Sequence, residues 1–511
     1  MSAVSLLRAS SVVSVMTMIS RISGLARDVV MTSIFGAGGV MDAWLIAFRI
    51  PNFTRRLFAE GAFSQAFVPV LAEYKQQRPL SEVQTFLRYV LGNLSLILGL
   101  VALLCVLFPS TVVWLFANGW DKESERYQLA VSLLRITSPY LAFVSLAAMA
   151  GAILNTYHRF AIPAFTPVVL NLCMIVGAVM SGYFFKVPIS ALAWAVLIAG
   201  VLQYAMQWPY LAREKLFVMP RIGWREPGVR RVVSLMGPAI FGVSVAQVNF
   251  IVDNFFASYL AVGSITWLYM ADRLMNFPLG VFGVAIATAI LPHLSLNNAA
   301  SSDTQYQQNL DWGVRMVLLI SVPAMVGLLL LAGPIAICVF RHGNVTDTAA
   351  LMAGSALVGF SVGLPSFMLI KVLAAGFYAK SNIKTPVRIG IIAMVLNLVF
   401  IALLIGPLKH VGLALATSLS GWVNAGLLFY TLKRRGIYKP QANWPYFMWQ
   451  LSLAIGAVLA WLLLLNQPMS VWLIHSTLWR LGYLALLVVP SMLIYVGVLK
   501  ISGLTWQQLR R

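Results

Sequence analysis

The stretch FRIPNFTRRLFAEGAF, running from Phe48 to Phe63, decides how the rest of the chain is read. Its neighbours are apolar enough for a lipid bilayer, yet it carries Arg49, Arg55, Arg56 and Glu60. One charge at the bilayer centre costs about 2.5–3.5 kcal/mol on insertion scales. Either the segment belongs to a soluble protein, or the membrane segment has a use for these charges.

Composition excludes the first option. Of the 511 residues, 60% are hydrophobic and only 10% charged, where a soluble domain carries about 25%. Mean hydropathy is +0.85. Apolar runs of roughly 20 residues recur along the chain, each long enough to cross about 30 Å of hydrocarbon as a helix. The expected fold is therefore an all-α polytopic membrane protein with about fourteen transmembrane helices. The spans fall near 11–35, 40–71, 86–108, 131–154, 160–183, 189–210 and 233–260 in the first part of the chain. They continue near 266–291, 312–332, 354–378, 385–405, 411–432, 446–466 and 480–499.

The net charge of +21 fits cytoplasmic loops enriched in Lys and Arg better than nucleic-acid binding. With the N-terminus inside, inner segments such as REKLFVMPRIGWREPGVRR (213–231), KSNIK (380–384) and KRRGIYKP (433–440) hold roughly 20 basic residues against about 6 outside. Both termini are expected in the cytoplasm. Cys105, Cys173 and Cys338 lie within apolar runs and read as buried thiols rather than disulfide partners or metal ligands. Arg21, Arg27 and Asp28 interrupt the first run, which reads as a membrane helix and not a cleavable leader. Walker loops, paired His ligands and GxSxG are missing from the sequence, so neither cofactor, metal nor enzymatic reaction is expected.

An internal echo organises the spans. AFRIPNFTRRLFAEGAFSQAFVPVL (47–71) resembles ADRLMNFPLGVFGVAIATAILPHL (271–294). Ala47, Arg49, Asn52, Phe53 and Phe58 match Ala271, Arg273, Asn276, Phe277 and Phe282, and Pro69 and Leu71 match Pro292 and Leu294 after one gap. Six spans lie between the copies, an even number, so the halves run in the same direction as a parallel repeat. Six and six leave two further helices at the C-terminal end. The expected divisions are 1–225, 226–440 and 441–511.

The charges within spans are patterned. Arg21 and Asp28 lie two helical turns apart and share a face, and Asp42, Arg49, Arg56 and Glu60 form one stripe on an ideal helix. Pro51 is expected to kink or break that helix. Asp272 and Arg273 occupy the equivalent helix of the second half. One reading makes these groups internal ion pairs that fix packing, and it is preferred for Arg315. The other, preferred for Arg21, Arg27, Arg55 and Arg273, is an aqueous cavity whose surplus guanidinium charge receives a phosphate. Lys371 stays open between the two. Asp253, beside Asn249 and Asn254, reads first as a satisfied interior carboxylate and second as a cation ligand.

Several motifs then carry a resemblance. SRISGLARD (20–28), FGAGGVMDAW (35–44), PNFTRRLFAEGAFSQAFVPVLAEY (51–74) and GAILNTYHRFAIPAFTPVVLN (151–171) are four of them. MGPAIFGVSVAQVN (236–249), YMADRLMNFPLGVFGVAIATAILP (269–292), KTPV (384–387) and GPLKHVGLALA (406–416) complete the set. Through nearly its whole length the chain resembles the MurJ/MviN lipid II flippases of the MOP exporter superfamily. The resemblance implies two six-helix bundles around a central cavity, plus two C-terminal helices forming part of a lipid groove. It implies transfer of lipid II, an undecaprenyl diphosphate bearing a disaccharide-pentapeptide, across a bacterial inner membrane by alternating access.

By motif position the substrate-binding residues would be Arg21, Arg27, Arg55 and Arg273 with Asp28, Asp42 and Glu60. Arg49, Arg56, Asp253 and Lys371 are secondary candidates. Asn276 departs from the pattern, since relatives carry an acid there. Membrane lipids and cell-wall synthesis proteins are the further partners such a role allows. The alternatives are another polyprenyl-diphosphate glycan flippase or a cation-coupled antiporter of the same superfamily. An antiporter usually has fewer cavity arginines.

Overall fold

The structure is a computed structural model that describes residues 3–55, 63–299, 302–441 and 443–504, without the side chains of 3–14, 54–55, 238–250, 284 and 297–299. Among the described residues the regular structure is entirely helical. The chain divides into two compact units, Met1–Gly263 and Ser264–Arg511.

The first unit begins with α1 (Ala3–Phe35), α2 (Gly39–Arg55), α3 (Phe63–Gln77), α4 (Leu80–Leu107) and α5 (Pro109–Phe116). It continues through α6 (Glu125–Thr137), α7 (Tyr140–Thr156), α8 (Ala161–Phe184), α9 (Ser190–Ala205), α10 (Trp208–Arg213) and α11 (Pro227–Ala257). Here α1 packs on α8, α8 on α9, α2 on α6, and α11 on α3. Gly36, with φ of 75°, takes the left-handed conformation that ends α1, and its N–H returns to the Thr32 carbonyl at 2.8 Å. In lipid the driving force for helix association is close packing rather than escape from water. Gly177 of α8 provides such a contact, since a Cβ there would lie 2.6 Å from that of Ala195 on α9. A stacked aromatic row, Phe63, Phe67, Phe86 and Tyr74, ties α3 to α4.

The second unit holds α12 (Ser264–Pro278), a π turn at Leu279–Gly283, α13 (Val284–Ala299), α14 (Asp303–Leu330) and α15 (Ala332–Phe340). Then follow α16 (Asp347–Ser361), α17 (Leu364–Tyr378), α18 (Lys384–Arg434), α19 (Trp444–Leu465), α20 (Met469–Ile474) and α21 (Thr477–Ile501). The 51 residues of α18 are two helices folded back at Lys409, whose φ of 51° and ψ of −125° leave helical space. The Ser420 hydroxyl donates to the Ala393 carbonyl, 27 residues earlier, at 2.7 Å. In one straight helix those groups would stand about 40 Å apart.

Element boundaries repeat along the chain. α4 and α14 begin at Leu80 and Asp303, and α8 and α18 at Ala161 and Lys384, 223 residues apart in both cases. The pairs α6–α7 and α16–α17 are each bent by 42° at a short break. By the same offset α11 repeats α1, yet it packs within the first unit, on α3, α4 and α5.

Eight helices among the described residues are long and apolar enough to cross a membrane, or ten if each bent pair is one span. The fold at Lys409 makes two spans of α18. The remaining expected spans fall on α1, α2 with α3, and α11. These helices carry charge or include residues whose side chains are not described.

Pro51 lies inside α2, which runs four residues past it to Arg55, where the described residues break off. Proline there deprives the Ala47 carbonyl of its helical donor. The Thr137 hydroxyl of α6, fully buried, points at that carbonyl at 3.3 Å and shares its proton between it and the Leu134 carbonyl at 3.4 Å.

Candidate functional site

The charged residues singled out in the sequence fall mainly into three groups, on α1, α2 and α12. In the first, α1 carries Arg27 and Asp28, both buried. Arg27 donates to Asp28 Oδ1 through Nη2 at 2.6 Å and Nε at 2.9 Å. Its Nη1 donates to Asn171 Oδ1 of α8 at 3.0 Å. Asn171 in turn donates from Nδ2 to the Ser20 carbonyl at 3.1 Å and to Ser23 Oγ at 2.9 Å. One amide thus orients the guanidinium and holds α8 against the preceding turn of α1. A buried ion pair survives in low dielectric only with hydrogen bonds of this kind around it. Arg21, two turns earlier, is half-buried and has no ion-pair partner among the described residues.

The second group lies on α2. Asp42, buried in the first turn, accepts the Gly263 N–H at 2.6 Å and sits where the helix dipole favours a carboxylate. Arg49, half-buried, donates to the Asn254 side chain of α11, next to half-buried Asp253. The side chain of Arg55 and all of Arg56 and Glu60 lie outside the described residues.

The third group belongs to α12 of the second unit. Arg273 lies over the Tyr269 ring, 5.1 Å from its centroid, with Nη2 on the phenol oxygen at 3.0 Å. Asn276 donates to Asp272 Oδ1 at 2.7 Å. The residue that departs from the family pattern therefore engages an acid one turn earlier. Lys371 is half-buried on α17.

Within each unit, then, Arg27 is joined to Asp28, Asp42 is fixed to the backbone at Gly263, and Arg273 stands with Tyr269. Arg315 belongs to a separate cluster. Its Nε donates to buried Asp311 Oδ2 at 2.7 Å, while Tyr438 and Trp444 donate to Oδ1 at 2.7 and 2.6 Å. The guanidinium also lies over the Trp444 and Phe447 rings. This is the packing role expected of Arg315, and it pins α19 to α14. Sequence reasoning missed Asn171 and Asp311. Asp311 was signalled by its i, i+4 spacing to Arg315, whereas Asn171 had no signal, since its partners are 144 to 151 residues away.

A family model described as lipid II flippase MurJ matches residues 31–483. The chain is 42% identical over 513 residues to the probable lipid II flippase MurJ of Vibrio cholerae serotype O1, covering 99% of this chain and 98% of the relative. To the lipid II flippase MurJ of Burkholderia cenocepacia it is 38% identical over 526 residues, covering 99% of each. Among solved structures it resembles lipid II flippase MurJ in an inward closed conformation, with TM-score 0.83 at 28% identity over 98% of this chain and 99% of that one. An inward-facing multidrug resistance MATE transporter of the MOP superfamily shares the fold, with TM-score 0.68 at 16% identity over 83% and 97% of the two chains. The chain belongs to the MurJ family of lipid II flippases.

Proposed function

We propose that this chain carries lipid II from the cytoplasmic to the periplasmic leaflet of a bacterial inner membrane by alternating access, making and breaking no covalent bond. The observation that carries the reading is the family match across residues 31–483. The first two helices inside or beside that range hold arginines and acids that a purely lipid-facing helix would exclude.

In this reading Arg21, Arg27, Arg55 and Arg273 supply the diphosphate with substitute solvation, and Asp28, Asp42 and Glu60 set their charge and orientation. Arg49, Arg56, Asp253 and Lys371 act in support. Residues 1–225 and 226–440 form the two six-helix bundles, and 441–511 contribute two helices to a groove for the polyprenyl tail. Both termini are cytoplasmic, and cell-wall synthesis proteins are the partners that such a role invites.

A second reading has a specific observation behind it. Arg27 is fully engaged by Asp28 and Asn171, as a packing residue would be. Arg21 separates the two, because it has no ion pair among the described residues to lose. The test is lipid II translocation in cells depleted of their own flippase, comparing wild type with Arg21→Ala, Arg27→Ala and Arg273→Ala, with membrane insertion measured alongside. Binding arginines give variants that insert normally and leave precursor on the inner leaflet. Full translocation by Arg21→Ala and Arg273→Ala would remove the diphosphate role.

A further inference from the structure

Residues 214–226 connect α10 to α11 as an irregular strap tied along its length to neighbouring helices of the first unit. The Gln84 side chain of α4 donates to the Lys215 carbonyl at 2.7 Å, and the Arg221 N–H donates to the Arg88 carbonyl at 3.0 Å. Asn93 pairs in both directions with Gly223, donating to its carbonyl at 2.7 Å and accepting its N–H at 3.0 Å. At the far end Glu226 accepts from the Tyr74 hydroxyl at 2.9 Å and caps α11 through the Val229 N–H at 2.7 Å. Two glycines permit the approach. A Cβ on Gly92 would overlap the Arg221 backbone, and one on Gly223 would fall 2.5 Å from the Tyr89 ring.

An ordinary exposed connection is held far more loosely. What this strap presents is unusual in composition. Phe217, Met219, Ile222 and Trp224 are all exposed, Met219 at 74% and Ile222 at 62%. Lys215, Arg221 and Arg225 alternate with them and are exposed too, as is Arg88 beneath the strap. The local acids are already occupied, Glu214 by Arg159 at 2.9 Å and Glu226 by its cap. Among the described residues no acid pairs with Lys215, Arg88, Arg221 or Arg225.

We propose that the strap is a preformed docking surface for anionic phospholipid headgroups. Met219, Ile222 and Trp224 enter the boundary between headgroups and acyl chains, and Arg88, Arg221 and Arg225 meet the phosphates. Alternating apolar and cationic residues fit a charged layer lying over hydrocarbon, and indole prefers that depth. By loop charge the segment is also an inner connection, on the side where anionic lipid attracts juxtamembrane cations. Fixing it in advance on α4 removes the ordering cost that a loose loop would incur on docking.

The test places an environment-sensitive fluorophore at Met219→Cys in full-length protein whose Cys105, Cys173 and Cys338 are replaced by Ala. The protein is reconstituted in phosphatidylcholine alone or with one quarter phosphatidylglycerol, each with brominated acyl chains. Quenching is expected to rise with phosphatidylglycerol and to lose that dependence in Arg221→Gln/Arg225→Gln. Each cation removed should weaken anionic-lipid preference by about fivefold. Equal quenching with and without phosphatidylglycerol, in wild type and variant alike, would overturn the headgroup role. So would a probe that stays unquenched in both lipids, or one that responds only to added undecaprenyl diphosphate. The thermal melt of the double variant checks that it remains folded.

Discussion

Asn171 shows what one side chain can organise in a membrane interior. Its carbonyl oxygen takes one arm of Arg27, and its amide nitrogen holds the α1 backbone at Ser20 and the Ser23 hydroxyl. Replacing it by Ala leaves a buried guanidinium N–H short of its partner, a loss of about 1–3 kcal/mol, whereas the Ser20 carbonyl keeps the Ser23 hydroxyl at 3.1 Å. Asn171→Ala should therefore lower the melting temperature of detergent-purified protein and reduce translocation, whereas Ser23→Ala should do much less. At Asp311 the stakes are higher, because three donors converge on one buried carboxylate. Asp311→Leu alone should destabilise by about 3–5 kcal/mol, since it strands Arg315. Asp311→Leu with Arg315→Met should recover much of that loss, as read from a double-mutant cycle of thermal unfolding. Of these groups, the sequence reading found Arg27, Asp28 and Arg315 but passed over Asp311, although its i, i+4 spacing to Arg315 was there to be read. It was silent on Asn171, because hydrogen bonds across some 150 residues leave no local pattern.

At the scale of elements, α2 shows how a neighbouring helix can meet what a proline takes away. Pro51 removes the hydrogen bond to Ala47. The outcome is set by α6, whose Thr137 supplies the replacement donor. Thr137→Val should cost about 1–2 kcal/mol by leaving the Ala47 carbonyl unmet in a site without water. In a Pro51→Ala background, where the backbone N–H is restored, the same substitution should cost much less. A thermal double-mutant cycle checks the coupling, and additivity of the two changes would refute it. α18 teaches the complementary lesson. Its two spans were legible as apolar runs on either side of GPLKH, and the Lys409 backbone with the Ser420–Ala393 hydrogen bond is the physical form of that break.

At the scale of the molecule, loop charge argues that the connection around Arg225 is cytoplasmic and that around Lys122 periplasmic. In a protein with the native cysteines replaced, Lys122→Cys should react with a membrane-impermeant maleimide in intact spheroplasts. Arg225→Cys should react only after permeabilisation, and the reverse order would invert the topology. The sequence by itself determined the all-helical membrane class, the positions of the apolar spans, the family and a repeat of about 223 residues. Each of these is written in hydropathy, run length and motif, properties a stretch of chain has before it meets any other. The tertiary structure alone decided which acid balances Arg27, what holds Asp42, which donor the Ala47 carbonyl meets and where α11 packs. Those outcomes depend on which distant groups are brought within 3 Å in a medium that supplies no water, and that is a property of packing rather than of order along the chain.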